Sequence, residues 1–248
     1  MINANLKERA KLDYSTPDTL WLTNEDTLRI MVGVLGISLP LILYLSLMVE
    51  SGRVELLDSI SHYYFTRVGS VFVIILSIIG VFLIIYQGTN QIDFLISLAA
   101  GVAVFVLLLF PASNLTDISI NPIIDRQLTK PCSEAISPCF GDSQPYSVTV
   151  LKTSKSRVYI HYIASAIFLG CLTYMALFCF PKQESIEKKN RKTFYRICGL
   201  LMLGSMVAIS CGIWFSDFFD KYNLTFIFET IAVVAFGASW LLRSKLFT

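Results

Sequence analysis

Apolar residues in this chain do not alternate with polar ones, nor do they recur every third or fourth position. They come in long unbroken runs. Six stretches, at 30–48, 68–86, 92–110, 160–180, 197–215 and 224–242, are each about as long as the roughly 20 residues a helix needs to cross the hydrocarbon of a bilayer. None has a Lys or Arg in its interior. A β-barrel would show segments of about ten residues with alternating polarity. The segment 71–79 is apolar at nearly every position and does not fit that pattern. The pattern predicts an all-α polytopic membrane protein, a bundle of six transmembrane helices.

Composition agrees. Of 248 residues, 54% are hydrophobic and 15% charged, against roughly 25% charged in a soluble domain. Too little polar chain remains to cover six soluble core helices. The net charge of +2 is too small to suggest nucleic acid as a partner.

Charge placement sets an expected orientation. The segment 181–196 carries Lys182, Lys188, Lys189, Arg191, Lys192 and Arg196. The N-terminal segment has Lys7, Arg9, Lys11 and Arg29, and the C-terminus Arg243 and Lys245. With six spans all three fall on one side, which the positive-inside rule makes cytoplasmic. Residues 1–28 then form a cytoplasmic tail and 29–248 the membrane domain. The tail has no apolar run of the signal-peptide kind, so the first span is expected to act as an uncleaved insertion signal. Tyr63, Tyr64, Phe65, Tyr159, Tyr162, Trp214 and Phe215 would line the outer interface, and Trp21, Tyr86, Tyr195 and Trp240 the inner one.

The segment 112–157 is the only extramembrane part large enough for structure of its own. It reads as an extracytoplasmic cap loop, with a short strand expected at 146–151. Cys132 and Cys139 lie in it, in a compartment where a disulfide between them would persist. Cys171, Cys179, Cys198 and Cys211 fall inside spans and read as packing residues. Pro40 should kink the first span. Ala99/Ala103 and Ala166/Gly170 are small-residue pairs that would allow close helix approach.

The candidate chemistry is a set of ionisable groups near one face. Both histidines, His62 and His161, fall at the expected outer ends of spans. Glu229 lies about 8 Å into the last span from the same side, at 1.5 Å per residue. Asp58 precedes His62 by four residues and would share its helix face. Asp217 and Asp220 follow the fifth stretch on that side. Ionisable groups at membrane depth are costly, so each is a functional hypothesis.

Three readings stay open. His62, His161 and a carboxylate, Glu229 or Asp58, would ligate zinc and hydrolyse a lipid or small amphiphile. The same groups would relay protons or bind a solute in a transporter or sensor. Or they are structural, in a scaffold or partner-binding subunit. No His-x3-His or His-Glu-x-x-His spacing favours the metal. Ser59 and Ser61 precede His62, but Ser59-Ile60-Ser61-His62-Tyr63-Tyr64 lacks the Gly-x-Ser-x-Gly elbow of a serine nucleophile. Asp93, at the start of the third stretch, reads as a helix cap.

Several segments carry a resemblance. Ser59-Ile60-Ser61-His62-Tyr63-Tyr64-Phe65-Thr66, the Gly80-Val81-Phe82-Leu83 stretch, His161-Tyr162-Ile163-Ala164-Ser165-Ala166 and Glu229-Thr230-Ile231-Ala232 resemble a group of uncharacterised bacterial multi-span membrane proteins. That resemblance implies the bacterial cytoplasmic (inner) membrane. A looser similarity is to the alkaline ceramidase and progestin/adiponectin receptor superfamily. It implies lipid hydrolysis at a zinc held by three histidines. This chain has two histidines and six apolar stretches against that superfamily's seven spans, so the site does not carry over intact.

Overall fold

The computed structural model describes residues 25–51, 56–66, 68–112, 155–184 and 189–244. The Cys132–Cys139 pair, the expected strand at 146–151 and residues 1–24 of the tail lie outside the described residues.

Every regular element among the described residues is helical. The helices are α1 (Glu25–Ser51), α2 (Gly69–Ile85), α3 (Gln91–Leu109), α4 (Lys155–Gln183), α5 (Lys189–Cys211), a short α6 (Ser216–Lys221) and α7 (Leu224–Arg243). A 3-10 helix, Ile60–Phe65, precedes α2. Helices α1, α3, α4, α5 and α7 are long and apolar enough to cross a membrane, and α2 is a shorter apolar helix. The chain is a multi-pass membrane protein.

The second, third and sixth apolar stretches match their helices to within one residue at each end. The fifth does not. Its apolar run reaches residue 215, but α5 starts in the basic segment at Lys189 and ends at Cys211. Three consecutive turns at 212–214 then lead into α6. Apolar composition alone does not separate a helix end from the membrane-facing turns after it. The first span is likewise longer than its apolar run and continues through Pro40 without interruption.

The long helices form a closed ring. Helix α1 packs on α2, α2 on α3, α3 on α4, α4 on α5, α5 on α7, and α7 back on α1. Lipid tails are as apolar as leucine, so burying apolar surface supplies little drive between spans. Close packing and hydrogen bonds must hold them. The ring interior is filled by large buried side chains, among them Leu83, Phe168, Leu172, Met175, Phe236 and Trp240. The indole of Trp240 meets Tyr86, Phe180 and Phe236 with ring centroids 4.9, 5.8 and 5.9 Å away. Leu41, Ile74, Leu95, Ile163 and Leu200 are more than half exposed on the outside of the ring, where a bilayer would cover them.

Helices α1 and α7 approach closely. A Cβ at Gly33 would lie 2.9 Å from the Gly237 carbonyl oxygen, and one at Gly237 only 2.6 Å from that of Gly33. The Ala166/Gly170 pair does not serve the role expected of it. Ala166 is exposed, and a Cβ at Gly170 would meet only the end of Met206, 3.9 Å away. That pair faces outward on α4, so small size there brings no helix closer.

One end of the ring, here the lower, is tied by polar side chains. Asp93 on α3 is buried, and its Oδ2 accepts from Thr89 Oγ1 (3.0 Å) and from Gln183 Nε2 at the foot of α4. Gln183 Oε1 in turn accepts from Arg243 of α7. Glu184 Oε1 lies 3.5 Å from Arg191 Nε and 3.6 Å from Arg243, and accepts from Tyr195 Oη at 3.2 Å. Arg191 also donates to the Leu242 carbonyl. This clasp joins α3, α4, α5 and α7. The expected helix cap is not Asp93 but Asn90, and Asp93, inside the first turn, anchors one edge of the clasp.

Helix α4 reaches the clasp through a π-helical stretch, Met175–Cys179. Cys179 and Cys198 are buried and, like Cys171 and Cys211, unbridged, as expected of packing residues.

Candidate functional site

The opposite, upper end carries the ionisable residues singled out by the sequence. Its organising element is the segment 58–66, which lies across the tops of the spanning helices. Ser59 is extended (φ −148°, ψ 151°) and caps the 3-10 helix, its Oγ accepting from the Ser61 N–H at 3.1 Å. The Asp58 carbonyl accepts from the Phe226 N–H at 2.9 Å, which docks the segment on the first turn of α7. Tyr63 is fully buried, its ring 6.0 Å from that of Phe226.

Glu229, one turn further into α7, receives this segment. Its carboxylate accepts from Ser59 Oγ, 2.8 and 2.9 Å from the two oxygens, and from the Ile60 N–H at 2.6 Å. A charged acceptor makes such bonds shorter and stronger than neutral ones. A carboxylate at this depth must be paired, and backbone and hydroxyl donors do that here.

His161, buried on the first turns of α4, meets the same segment from the other side. Its Nδ1 is 3.0 Å from the Phe110 carbonyl oxygen at the end of α3, and its Nε2 is 3.2 Å from Ser61 Oγ. A carbonyl oxygen can only accept. In the neutral ring Nδ1 therefore carries the proton, and Nε2 presents a lone pair to the Ser61 hydroxyl. This is the geometry of a nucleophile and a base, with the base oriented by a third group.

His161 and Glu229 thus share one structure, but through Ser59 and Ser61 and not by direct contact. His62 lies on the same 3-10 helix. Its Nδ1 is buried without a hydrogen-bond partner among the described residues. Burial pushes its imidazole below the usual value, against the opposing pull of Asp58 and Asp220. Asp58 joins the site through its backbone, as well as by its charge near His62.

The sign of the His62 shift fixes a pH window. A folded-state value below the unfolded one (about 6.5) means the unfolded chain binds the extra proton first. Its contribution to stability is then full above about pH 6.5 and is lost as pH falls through the lowered folded value. We expect melting temperature to fall between pH 7.5 and pH 5, and to fall less in His62→Gln. Equal acid sensitivity in the two proteins would remove His62 from the account.

The expected zinc would draw on His62, His161 and Glu229. Both nitrogens of His161 and both oxygens of Glu229 are engaged by hydrogen bonds. Among the described residues no group of three His, Cys, Asp or Glu is placed to hold a metal ion.

The sequence sets Ser61 beside His62, but its hydrogen-bond partner is His161, 100 positions away on another helix. Comparison of the chain with protein-family profiles, with characterised proteins and with solved structures gives no match, so the reading of this site rests on its own geometry.

Proposed function

We propose that the protein is a six-span membrane hydrolase or acyltransferase in which Ser61 is the nucleophile and His161 its general base, acting on an ester at the outer leaflet. The observation that carries this is the Phe110 carbonyl–His161–Ser61 alignment, at 3.0 and 3.2 Å. His161 Nε2 would take the Ser61 hydroxyl proton as Oγ bonds to the acyl carbon. The ester C–O bond then breaks, and the leaving alkoxide takes that proton back from the imidazolium. Water, activated by the same nitrogen, would release the acyl group. The Ile60 and Ser61 N–H groups are already bound to Glu229 and Ser59.

Charge supports the upper end as extracytoplasmic. Among the described residues the lower end has Arg29, Lys182, Lys189, Arg191, Lys192, Arg196 and Arg243, against Lys155, Arg157 and Lys221 at the upper one. By the positive-inside rule both termini are cytoplasmic, and α2 counts as the sixth span. The resemblance noted above favours a bacterial cytoplasmic membrane. Transport through the ring is less well supported, because large apolar side chains fill the interior between the two ends.

The test is covalent labelling. A small fluorophosphonate should modify Ser61 in purified protein, as mapped by peptide mass spectrometry. Ser61→Ala should abolish labelling, and His161→Gln should slow it by about 100-fold or more, the usual contribution of a general base. An unreactive Ser61, or equal rates with and without His161, overturns the proposal. One observation favours a second reading, a purely structural staple: Ser59 and Ile60 are held by Glu229. That reading wins if Ser61 is inert and Ser61→Ala only lowers the melting temperature.

A further inference from the structure

A cavity of about 420 Å³ runs between α3 and α4, lined by apolar side chains that include Leu98, Val102 and Val106 from one helix and Ile160, Ala164 and Ile167 from the other. Its outer rim is lipid-facing, since Leu95, Val102, Ile163 and Ile167 are all well exposed. Three features connect it to the site above. Ala164, in the lining, is three residues from His161 and within about 60° of it around α4, at 100° per residue. Val106, also in the lining, is one turn below Phe110, whose carbonyl orients His161. Arg157 is one turn above His161 on the same face, its guanidinium donating to the Leu109 carbonyl at 3.1 Å and lying 5.6 Å from the Phe110 ring centroid. Along α4 the order is therefore an exposed cation, the Ser61–His161 pair about 6 Å below it, and an apolar trough that opens level with the pair, at Ile160, and extends about 10 Å down to Ile167, at 1.5 Å per residue.

A glycerophospholipid in a leaflet presents its parts in that order along the bilayer normal: phosphate, then acyl ester, then hydrocarbon. From this we infer that the substrate is an anionic glycerophospholipid. One acyl chain lies in the α3/α4 trough, its ester stands beside Ser61, and its phosphate is met by Arg157. The inference rests on Ser61–His161 acting as proposed above, and it adds the substrate class and the side from which substrate enters. A single guanidinium point contact favours net negative headgroups through the same attraction that draws basic residues to anionic leaflets.

The test uses the full chain in bilayer nanodiscs containing phosphatidylglycerol or phosphatidylcholine with a diazirine in one acyl chain. Photocrosslinks are mapped by mass spectrometry, and Ser61 labelling by a small fluorophosphonate is followed in parallel. Crosslinks should concentrate on the trough and drop by about tenfold in Val102→Trp, which fills it from an exposed position. Phosphatidylglycerol should outcompete phosphatidylcholine by about fivefold, and Arg157→Gln should erase that preference. Trough crosslinks and fluorophosphonate labelling should both be unchanged in Leu200→Trp, an exposed position on α5 away from the trough. Crosslinks spread evenly over other lipid-facing helices, or indifferent to Val102→Trp, overturn the inference while a reactive Ser61 keeps the hydrolase reading. Trough crosslinks with an inert Ser61 sink the hydrolase reading and the substrate assignment together.

Discussion

Replacing Glu184 by alanine should destabilise the folded bundle by about 3 kcal/mol, the low end for breaking one side of a buried ion pair. Its carboxylate faces two guanidiniums, Arg191 at 3.5 Å and Arg243 at 3.6 Å, and also accepts from Tyr195 Oη. The three side chains are 7%, 14% and 11% exposed for Glu184, Arg191 and Arg243, so neither arginine is well hydrated where it stands. Without Glu184 two positive charges remain close together with one fewer counter-ion. The low end applies because long arginine side chains near a helix end can reach toward the interface. In detergent micelles this corresponds to a melting temperature lower by on the order of 10 °C. Glu184→Gln keeps an acceptor but not the charge and should fall between. A Glu184→Ala protein that melts with the wild type would show that the clasp contributes nothing measurable.

Glu229→Leu should cost about 2–4 kcal/mol, because it strands two donors at once and each buried unsatisfied donor costs about 1–3 kcal/mol. The donors are Ser59 Oγ and the Ile60 N–H. The effect should be local. Amides of 58–66 should exchange with solvent faster while those of the lower end keep their protection, since no hydrogen bond among the described residues joins the two ends. Glu229→Gln, whose amide oxygen can still accept, should recover more than half of the loss. If Glu229→Leu leaves exchange at 58–66 unchanged, the carboxylate does not hold that segment down.

Much of the architecture was readable from apolar runs, because a bilayer imposes length and polarity on each span independently of its neighbours. Residues 92–110 and 224–242 anticipate α3 and α7 to within one residue at each end. The relations between spans were not readable in the same way. Gly33 and Gly237 are 204 positions apart, and nothing in either local sequence distinguishes them from Gly170, which packs against almost nothing. The same holds for the upper site. His161, Glu229, His62 and Asp58 are conspicuous because ionisable residues are rare in apolar sequence, and the fold does bring them to one end. The groups that join them are hydroxyls and backbone atoms of Ser59, Ile60, Ser61 and Phe110, which stand out in no composition count. The glycine elbow belongs to one strand-turn-helix fold, whereas Ser61 stands on a 3-10 helix.

Helix α4 serves both ends of the molecule. It presents His161 to Ser61 at the top and Gln183 to Asp93 at the bottom, 22 residues apart. On an unbroken α-helix the bearing of the first would dictate that of the second, and each end could find its partners only if the spacing happened to suit both. The wider turn at Met175–Cys179 lies between them. An extra residue in one turn rotates everything below it by about 100°. The stretch therefore works as a phase adjuster, through which selection could tune the pairing at either end without retuning the other.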